Sequence, residues 1–357
     1  MLMNLRSLND ISLKWKLTIP FLFLAITGAI LLFVVLYKFQ DNLIHINEAK
    51  RLNNQYQFFL NDIEFKRNMA MGLAYLSAQN PEVAEAFAFR DRDRLIELLQ
   101  PAYQTLHKDF DVQQFHFHTD HATSFLRLHA LDCCGEQMES FRPMITEAFN
   151  TCNACSGIEL GTFGFGIRGV VPVFYLGNLA GTVEIGLSIG KPFLDNFKNH
   201  YGADVALHVK DIGEGAENLK VLASTMEESV LADELLNRSF ATGEQLIITG
   251  KQNGRDVAVI AGPIYSFSDK IEAVVEIVID MGPSQAMLRH YGSMAAAIAL
   301  LGFVLSFSYI LAVSSLFSRR IGEVVKGAEE IADGKRDIRI EVKSLSLIHI
   351  SEPTRPY

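Results

Sequence analysis

The chain has 357 residues, 49% of them hydrophobic and 20% charged, with a mean hydropathy of +0.17 and a formal net charge of −9. That composition excludes a disordered or collagen-like chain and points away from a wholly soluble one. The acidic balance leaves no basic field to attract phosphate, so nucleic acid is excluded as a partner. The charge is uneven. Residues 1–40 hold Arg6, Lys14, Lys16 and Lys38 against Asp10, a net of +3; residues 319–357 carry +1, which leaves −13 for residues 41–318.

Residues 1–16 read as a cytoplasmic N-terminus. From Leu17 to Tyr37 the chain is uncharged, with TIPFLFLAITGAILLFVVLY at its heart, and about 20 such residues cross a hydrocarbon layer of ~30 Å. A cleaved signal peptide would call for a shorter apolar core ending in a small-x-small site, which this run lacks. Met294 to Phe317 is a second apolar run, followed by Ser318-Arg319-Arg320. Basic residues before the first run and after the second place both ends in the cytoplasm and the roughly 255 residues between them outside.

Beyond Tyr37 the chain reads as a long helix to about Ala78. Leu52, Tyr56, Phe59, Ile63, Ala70 and Leu73 recur at three- and four-residue steps and form one apolar stripe, suited to packing on the chain's own domain or to a dimerising stalk. Asn80-Pro81 breaks it, and two shorter helices follow to about His107, so that 38–110 is the stalk and helical part. From Gln113 the period becomes two. QFHFH and SFLRLH read as strands, Met138–Asn150 as a helix, and GIELG, GIRGVVPVFY and AGTVEIGLSI as strands, the last two joined around Gly177-Asn178. Residues 191–201 are helical. Strands follow at 203–209 and 219–223, a helix at about 229–239, then strands at 245–250, 255–264 and 271–280, with a type I′ turn predicted at Asn253-Gly254.

The second half repeats the first. Pro172-Val173-Phe174-Tyr175 answers Pro263-Ile264-Tyr265, Val183-Glu184-Ile185 answers Val275-Glu276-Ile277, and His200-Tyr201-Gly202 answers His290-Tyr291-Gly292, at offsets of 91, 92 and 90 residues. A period this long indicates a duplicated domain. The predicted class is α+β, two similar lobes in tandem, each an antiparallel sheet with helices packed on it.

FHFHTDHATSFLRLH (115–129), SFRP (140–143), SGIELGTFGFGIRGVVPV (156–173) and GTVEIGLSIGKPF (181–193) resemble a double Cache sensor, a PAS-like extracytoplasmic module of bacterial chemoreceptors, sensor kinases and cyclic-dinucleotide enzymes. The resemblance covers about residues 40–290. It implies a membrane-distal lobe at 111–202, which usually holds a small ligand, and a membrane-proximal lobe at 203–292, in a two-pass protein of the inner membrane with a periplasmic sensor domain. Amino-acid-binding members use an Arg-x-Trp-Tyr signature. The single tryptophan here is Trp15, beside the first apolar run, which disfavours that ligand class.

After the second run, RRIGEVVKGAEEIADGKRDIRIEV (319–342) resembles the first helix and connector of a HAMP relay, so 318–344 is a partial HAMP. Ile321, Val325, Ala328 and Ile331 with Ala332 form its seam, and Glu330, Ile331, Ala332 and Gly334 fit the family's helix ending. The usual proline is missing, with Val324 near its place. HAMP relays work as parallel dimers, which implies a homodimer. The tail LSLIHISEPTRPY (345–357) resembles a translated sequencing adapter and is set aside. The chain is expected to be a fragment, reaching cytoplasmic signalling proteins only through an output domain beyond it.

Cys133, Cys134, Cys152 and Cys155 fall within one short stretch. Outside the cytoplasm they suit disulfides between 133/134 and 152/155, a tetrahedral metal ion, or a redox-sensing dithiol. Covalent haem is excluded because Ser156 follows Cys155 where a histidine would be needed. His116 and His118 share one strand face, with Asp120, His121 and His129 nearby, so that they could chelate or simply line a polar face. Arg127 alternates against Leu126 and Leu128, and Arg168 lies among glycines, in GFGIRG. Guanidinium groups suit bidentate capture of a carboxylate. Either arginine could equally pair internally with Glu184. The resemblance adds Arg142, because Arg127, Arg142 and Arg168 all lie in its signature strings. No cofactor is expected, although a metal ion is an option at the cysteine and histidine cluster.

No Walker loop, nucleophile elbow or H-E-x-x-H occurs, so the chain itself reads as a receptor and not an enzyme. The leading expectation is the input half of a chemotaxis receptor for a small ligand, with a carboxylate as one candidate. The alternatives are the input half of a histidine kinase or diguanylate cyclase, and a metal or redox sensor.

Overall fold

A computed structural model describes residues 13–161, 164–210 and 219–333. The chain divides into Ile44–Ala286 and a second unit made of Met1–Leu43 with Met287–Tyr357.

The first helix, α1 (Leu13–Ala78), is continuous over 66 residues. Leu52, Tyr56, Phe59, Ile63 and Ala70 are buried along one face, as the spacing predicts, and Ala74 completes the row while Leu73 is half-buried. Asn80 ends it and caps α2 (Pro81–Ala88), its Oδ1 accepting from the N–H groups of Glu82 and Val83 at 3.0 and 3.4 Å. Pro81 occupies the first helical position, where no N–H is required. α3 (Arg92–Phe110) runs three residues past the predicted end.

Two five-stranded antiparallel sheets follow. The first contains β1 (Val112–Thr119), β2 (Thr123–Arg127), β3 (Cys155–Gly161), β4 (Gly164–Tyr175) and β5 (Asn178–Ser188), in the order β2-β1-β5-β4-β3. The second contains β6 (Asp204–Lys210), β7 (Leu219–Ser224), β8 (Leu246–Gln252), β9 (Arg255–Tyr265) and β10 (Ile271–Asp280), in the order β7-β6-β10-β9-β8. The two orders are the same with five strands added, which is the duplication seen as topology.

Helices α4 (Pro143–Thr151) and α5 (Lys191–Tyr201) belong to the first lobe, α6 (Asp233–Thr242) lies within the second, and α7 (Gly282–Ala332) ends the described chain. α4 starts five residues later than the predicted Met138, because Pro143 takes the first helical position after Arg142. α6 starts four residues late, because the Glu276 carboxylate holds the N–H groups of Val230 and Leu231 before the helix can begin. The β4–β5 corner is Leu176-Gly177, both at positive φ, and Asn178 already belongs to β5. Asn253-Gly254 turns at positive φ as predicted.

One apolar core runs along α1. Phe115, Phe117, Val183, Ile185 and Leu187 reach it from the first sheet, and Val205, Leu207, Ile260, Val275 and Ile277 from the second. β4 crosses the helix so closely at Gly169 that a Cβ there would lie 2.4 Å from the backbone nitrogen of Met71. Each sheet thus has a second face, turned away from α1 and covered by α4 or α6.

In the other unit, α1 and α7 are each long and apolar enough to cross a membrane. Thr18 Oγ1 donates to Ser314 Oγ at 2.9 Å and Ser314 Oγ to Lys14 O at 2.9 Å, while Phe23 and Tyr309 are exposed. α7 continues through Ile321, Val325, Ala328 and Ile331. The expected HAMP connector from Gly334, the tail from 345 and the first twelve residues lie outside the described residues.

Candidate functional site

Strand alternation builds the site. In β1 the phenylalanines turn to α1, leaving Gln114, His116 and His118 on the outer face. Register then adds neighbours to that face: Glu184 of β5 beside His116, Arg127 of β2 on its other side, Arg168 of β4 beside Gly186, and Glu159 of β3 beside Gly166. Arg142 comes from outside the sheet, at the residue before α4.

Glu184 is the hub, with no exposed surface. Arg168 Nη1 donates to its Oε1 at 2.6 Å, and Arg142 Nη2 to both its oxygens at 2.8 Å. Arg142 Nε donates to Glu159 Oε2 at 2.6 Å, and the Met144 N–H donates to Glu159 Oε1 at 3.0 Å, so the start of α4 is tied to β3. Arg168 also donates to Gln114 Oε1, and its Nε to Glu159 O at 3.3 Å. His118 Nε2 stands 3.4 Å from Glu184, and its Nδ1 is hydrogen-bonded to Thr182 Oγ1 at 3.1 Å. His116 Nε2 is hydrogen-bonded to Ser124 Oγ at 2.7 Å, with its ring 4.0 Å from that of His118.

Arg127 is buried as well, but it pairs with Glu136 and donates to Cys133 O at 3.0 Å, alongside the cluster. His129 accepts from the Phe115 N–H at 3.4 Å. Three arginines thus face three glutamates, with no net charge while the histidines are neutral. The internal pairing that the sequence allowed for Arg168 with Glu184 is present, and the one it allowed for Arg127 is replaced by Glu136.

Burial alone would raise the Glu184 carboxyl, but Arg142 and Arg168 hold it well below the usual range. Burial pushes His116 and His118 down, with Glu184 opposing, and takes His129 to about 4. Burial also lowers Arg168. Beside the cluster, at the α3 end of the sheet, is a cavity of about 440 Å³ lined by Tyr103, His107, Gln114, His129, Arg168 and Ser188 among others.

The cysteines do not join this site. All four are free thiols, and Cys133, Cys134 and Cys152 are exposed. Cys155 is half-buried under α4, its Sγ 3.3 Å from Met144 O. Burial, reinforced by Glu159 and Glu147, pushes its thiol up to about 12.

The one set of ligand atoms with metal-like spacing among the described residues is that of His116, His118 and Glu184, within 4.8 Å of one another. It does not suit a cation, because two guanidinium groups already hold Glu184 and would repel one. Sequence reasoning missed Glu159, Gln114 and Tyr103 as site residues. The first two were within reach: Gln114 continues the two-residue period of His116 and His118, and Glu159 is the alternating polar residue of GIELG.

Residues 46–282 match the dCache_3 family model, described as the double sensory domain of two-component sensor kinase. The chain belongs to this family. Similar solved structures include the sensory domain of the Campylobacter jejuni chemoreceptor Tlp3 with isoleucine bound (11% identity, TM-score 0.40, 68% of this chain and 96% of that one). Others are the periplasmic domain of Vibrio cholerae LuxQ (12%, 0.37, 66% and 99%) and the sensor domain of the V. cholerae histidine kinase DctB (12%, 0.39, 67% and 98%). No curated protein sequence matches the chain.

Proposed function

We propose that the chain is the input half of a two-pass bacterial inner-membrane receptor that binds a small carboxylate in its first lobe. The observation that carries this reading is Arg168, fully buried yet forming a wall of the 440 Å³ cavity, with the Gln114 amide and His129 beside it. A planar guanidinium that already holds one carboxylate can exchange part of that grip for another. Binding would loosen the Arg168–Glu184 pair, leave Glu184 to Arg142, and so shift α4. The change then passes through the second lobe to α7 and its continuation as the first HAMP helix, whose exposed Ile321, Val325 and Ile331 suit a seam with a second copy. A chemotaxis receptor is the primary reading of the whole protein. A sensor kinase is the second, favoured by the family's own description.

Calorimetric titration of the full chain in detergent micelles with two- to six-carbon mono- and dicarboxylates tests the site. One of them should bind, and Arg168→Ala should weaken it by at least about tenfold, as expected for a charged hydrogen bond. An Arg168→Ala chain that binds as tightly as the native one would sink the reading, as would silence across the whole panel.

A further inference from the structure

The β9–β10 hairpin of the second lobe reaches onto β3, the edge strand of the first sheet. The Phe267 N–H donates to Ile158 O at 2.9 Å. Its side chain packs on the small apolar cluster of Met138, Met144, Ile145 and Val170 beneath α4. Gly157 faces it, and a Cβ there would lie 2.8 Å from Phe267 Cβ and 3.2 Å from its Cα. Only glycine lets the two backbones come this close. Cavities of about 650 and 460 Å³ both have Ile158, Ser266 and Phe267 in their walls, so this contact is a strut with space around it.

Three consecutive residues of β3 therefore serve both lobes. Gly157 and Ile158 receive Phe267, and the next residue, Glu159, holds Arg142 and the start of α4. On the hairpin side, β10 begins four residues after Phe267 and runs to Asp280, from which the chain enters α7. Met281 N–H donates to Asp256 O at 3.0 Å, fastening that exit to β9.

We propose that Phe267 is a positioning residue of the first-lobe site, supplied by the second lobe. It sets β3 so that Glu159 holds Arg142, and it hands any movement of that pair to the β9–β10 hairpin and on toward α7. The assignment rests on the first lobe being the sensing lobe, but its test needs no ligand. Glu159→Gln weakens the Arg142 tie directly, and peptide-resolved hydrogen exchange on the full chain in micelles follows the consequence.

In the native background Glu159→Gln should speed exchange in α4 and in residues 264–272 alike, by about fivefold, the factor that goes with one hydrogen bond. With Phe267→Ala, α4 should still respond while 264–272 no longer does. Gly157→Ala pushes the hairpin away from the opposite side and should uncouple it in the same way, and Phe267→Leu should keep the response. If Phe267→Ala disturbs the whole exchange map, Gly157→Ala and Phe267→Leu decide. A hairpin that ignores Glu159→Gln in the native background, or follows it in both uncoupling variants, overturns the proposal. Carboxylate binding that survives such a failure would leave the site intact and remove only the strut.

Discussion

At the centre of each sheet stands a buried glutamate beneath a short helix, Glu184 under α4 and Glu276 under α6, and the two are satisfied in opposite ways. Strand register makes them equivalent. Glu184 lies beside His116 and Val170, Glu276 beside Ala206 and Ala261, and both sheets slip register just before the next histidine, His118 or His208. From there the lobes diverge. Where the first has Arg168 and Glu159, the second has Val259 and Gly250, and Val259 packs with Leu231, Leu236 and Val274. Glu276 accepts from Ser229 Oγ at 2.6 Å and from the N–H groups of Val230 and Leu231 at 2.8 and 2.9 Å, and pairs with His208 at 3.0 Å. No guanidinium is among these partners. The second-lobe carboxylate is held by the chain's own backbone, which closes the face. The first is held by guanidinium side chains from β4 and the start of α4, the groups that the proposed carboxylate would share. One duplicated plan thus carries the proposed site in one lobe and a backbone-closed carboxylate in the other.

The widest separation should come from neutralising each hub. Glu184→Gln leaves Arg142 and Arg168 buried with Glu159 as their remaining carboxylate, a loss of about 3–5 kcal/mol. Glu276→Gln strands no arginine and should cost about 1–2 kcal/mol in hydrogen bonds. Urea unfolding sampled by brief exchange pulses, resolved into peptides of 112–188 and 204–280, measures both. Equal losses would dissolve the contrast between the lobes.

Acid should separate them next. His116, His118 and His129 are lowered in the folded state, so below the ordinary histidine value of about 6.5 the unfolded chain binds more protons and first-lobe stability falls with pH. For His129 the loss runs from there down to about 4. Burial would raise Glu276, but His208, Ser229 and Leu231 hold it low, so its contribution persists above the ordinary carboxylate value and is lost only as pH falls below it. Between pH 6.5 and 5 the first lobe's urea midpoint should drop while the second's holds. A parallel drop would mean that the buried histidines are not what distinguishes the first lobe. The same histidines bear on the proposed binding. A carboxylate added to a balanced cluster favours proton uptake by a histidine, so apparent affinity should strengthen from pH 7.5 to 6, and a flat profile would place the anion away from them.

Much of this is legible in the sequence, because periodicity reports burial. The α1 stripe, both hairpin sheets and the 91-residue repeat follow from spacing alone, and Arg168 stood out among glycines for a reason the structure explains: β4 must pass close to α1 at Gly169. Helix starts were misread where a side chain from a distant strand intervened, as Glu276 does before α6. Arg127 pairs with Glu136, which no spacing points to, because Glu136 lies in a connecting segment with no period to read. The cysteine cluster is legible as a cluster but not in its arrangement. Spacing leaves disulfides, a metal ion and a redox dithiol equally open, and it does not show that Cys155 turns in under α4 while Cys133, Cys134 and Cys152 face solvent.

That inward turn makes Cys155 a gauge of how firmly α4 is held, which is the smallest expected difference and the most local one. The helix is fastened at its start by Arg142 and Met144 to Glu159, and the thiol lies under that same turn. Half-buried and with its thiol pushed up to about 12, Cys155 should react slowly, and faster when α4 lifts and admits more water. In a chain carrying serine at Cys133, Cys134 and Cys152, alkylation at pH 7.5 should therefore be slow. Arg142→Lys keeps a charge but loses the two-sided grip on Glu159 and Glu184, and should speed the reaction about three- to tenfold, in line with one weakened buried hydrogen bond. The second lobe supplies the control: Glu276→Gln, which loosens α6 instead, should leave the rate unchanged. If both substitutions speed it equally, α4 and α6 open together, and α4 does not respond to the Arg142 cluster on its own, as the proposed relay requires.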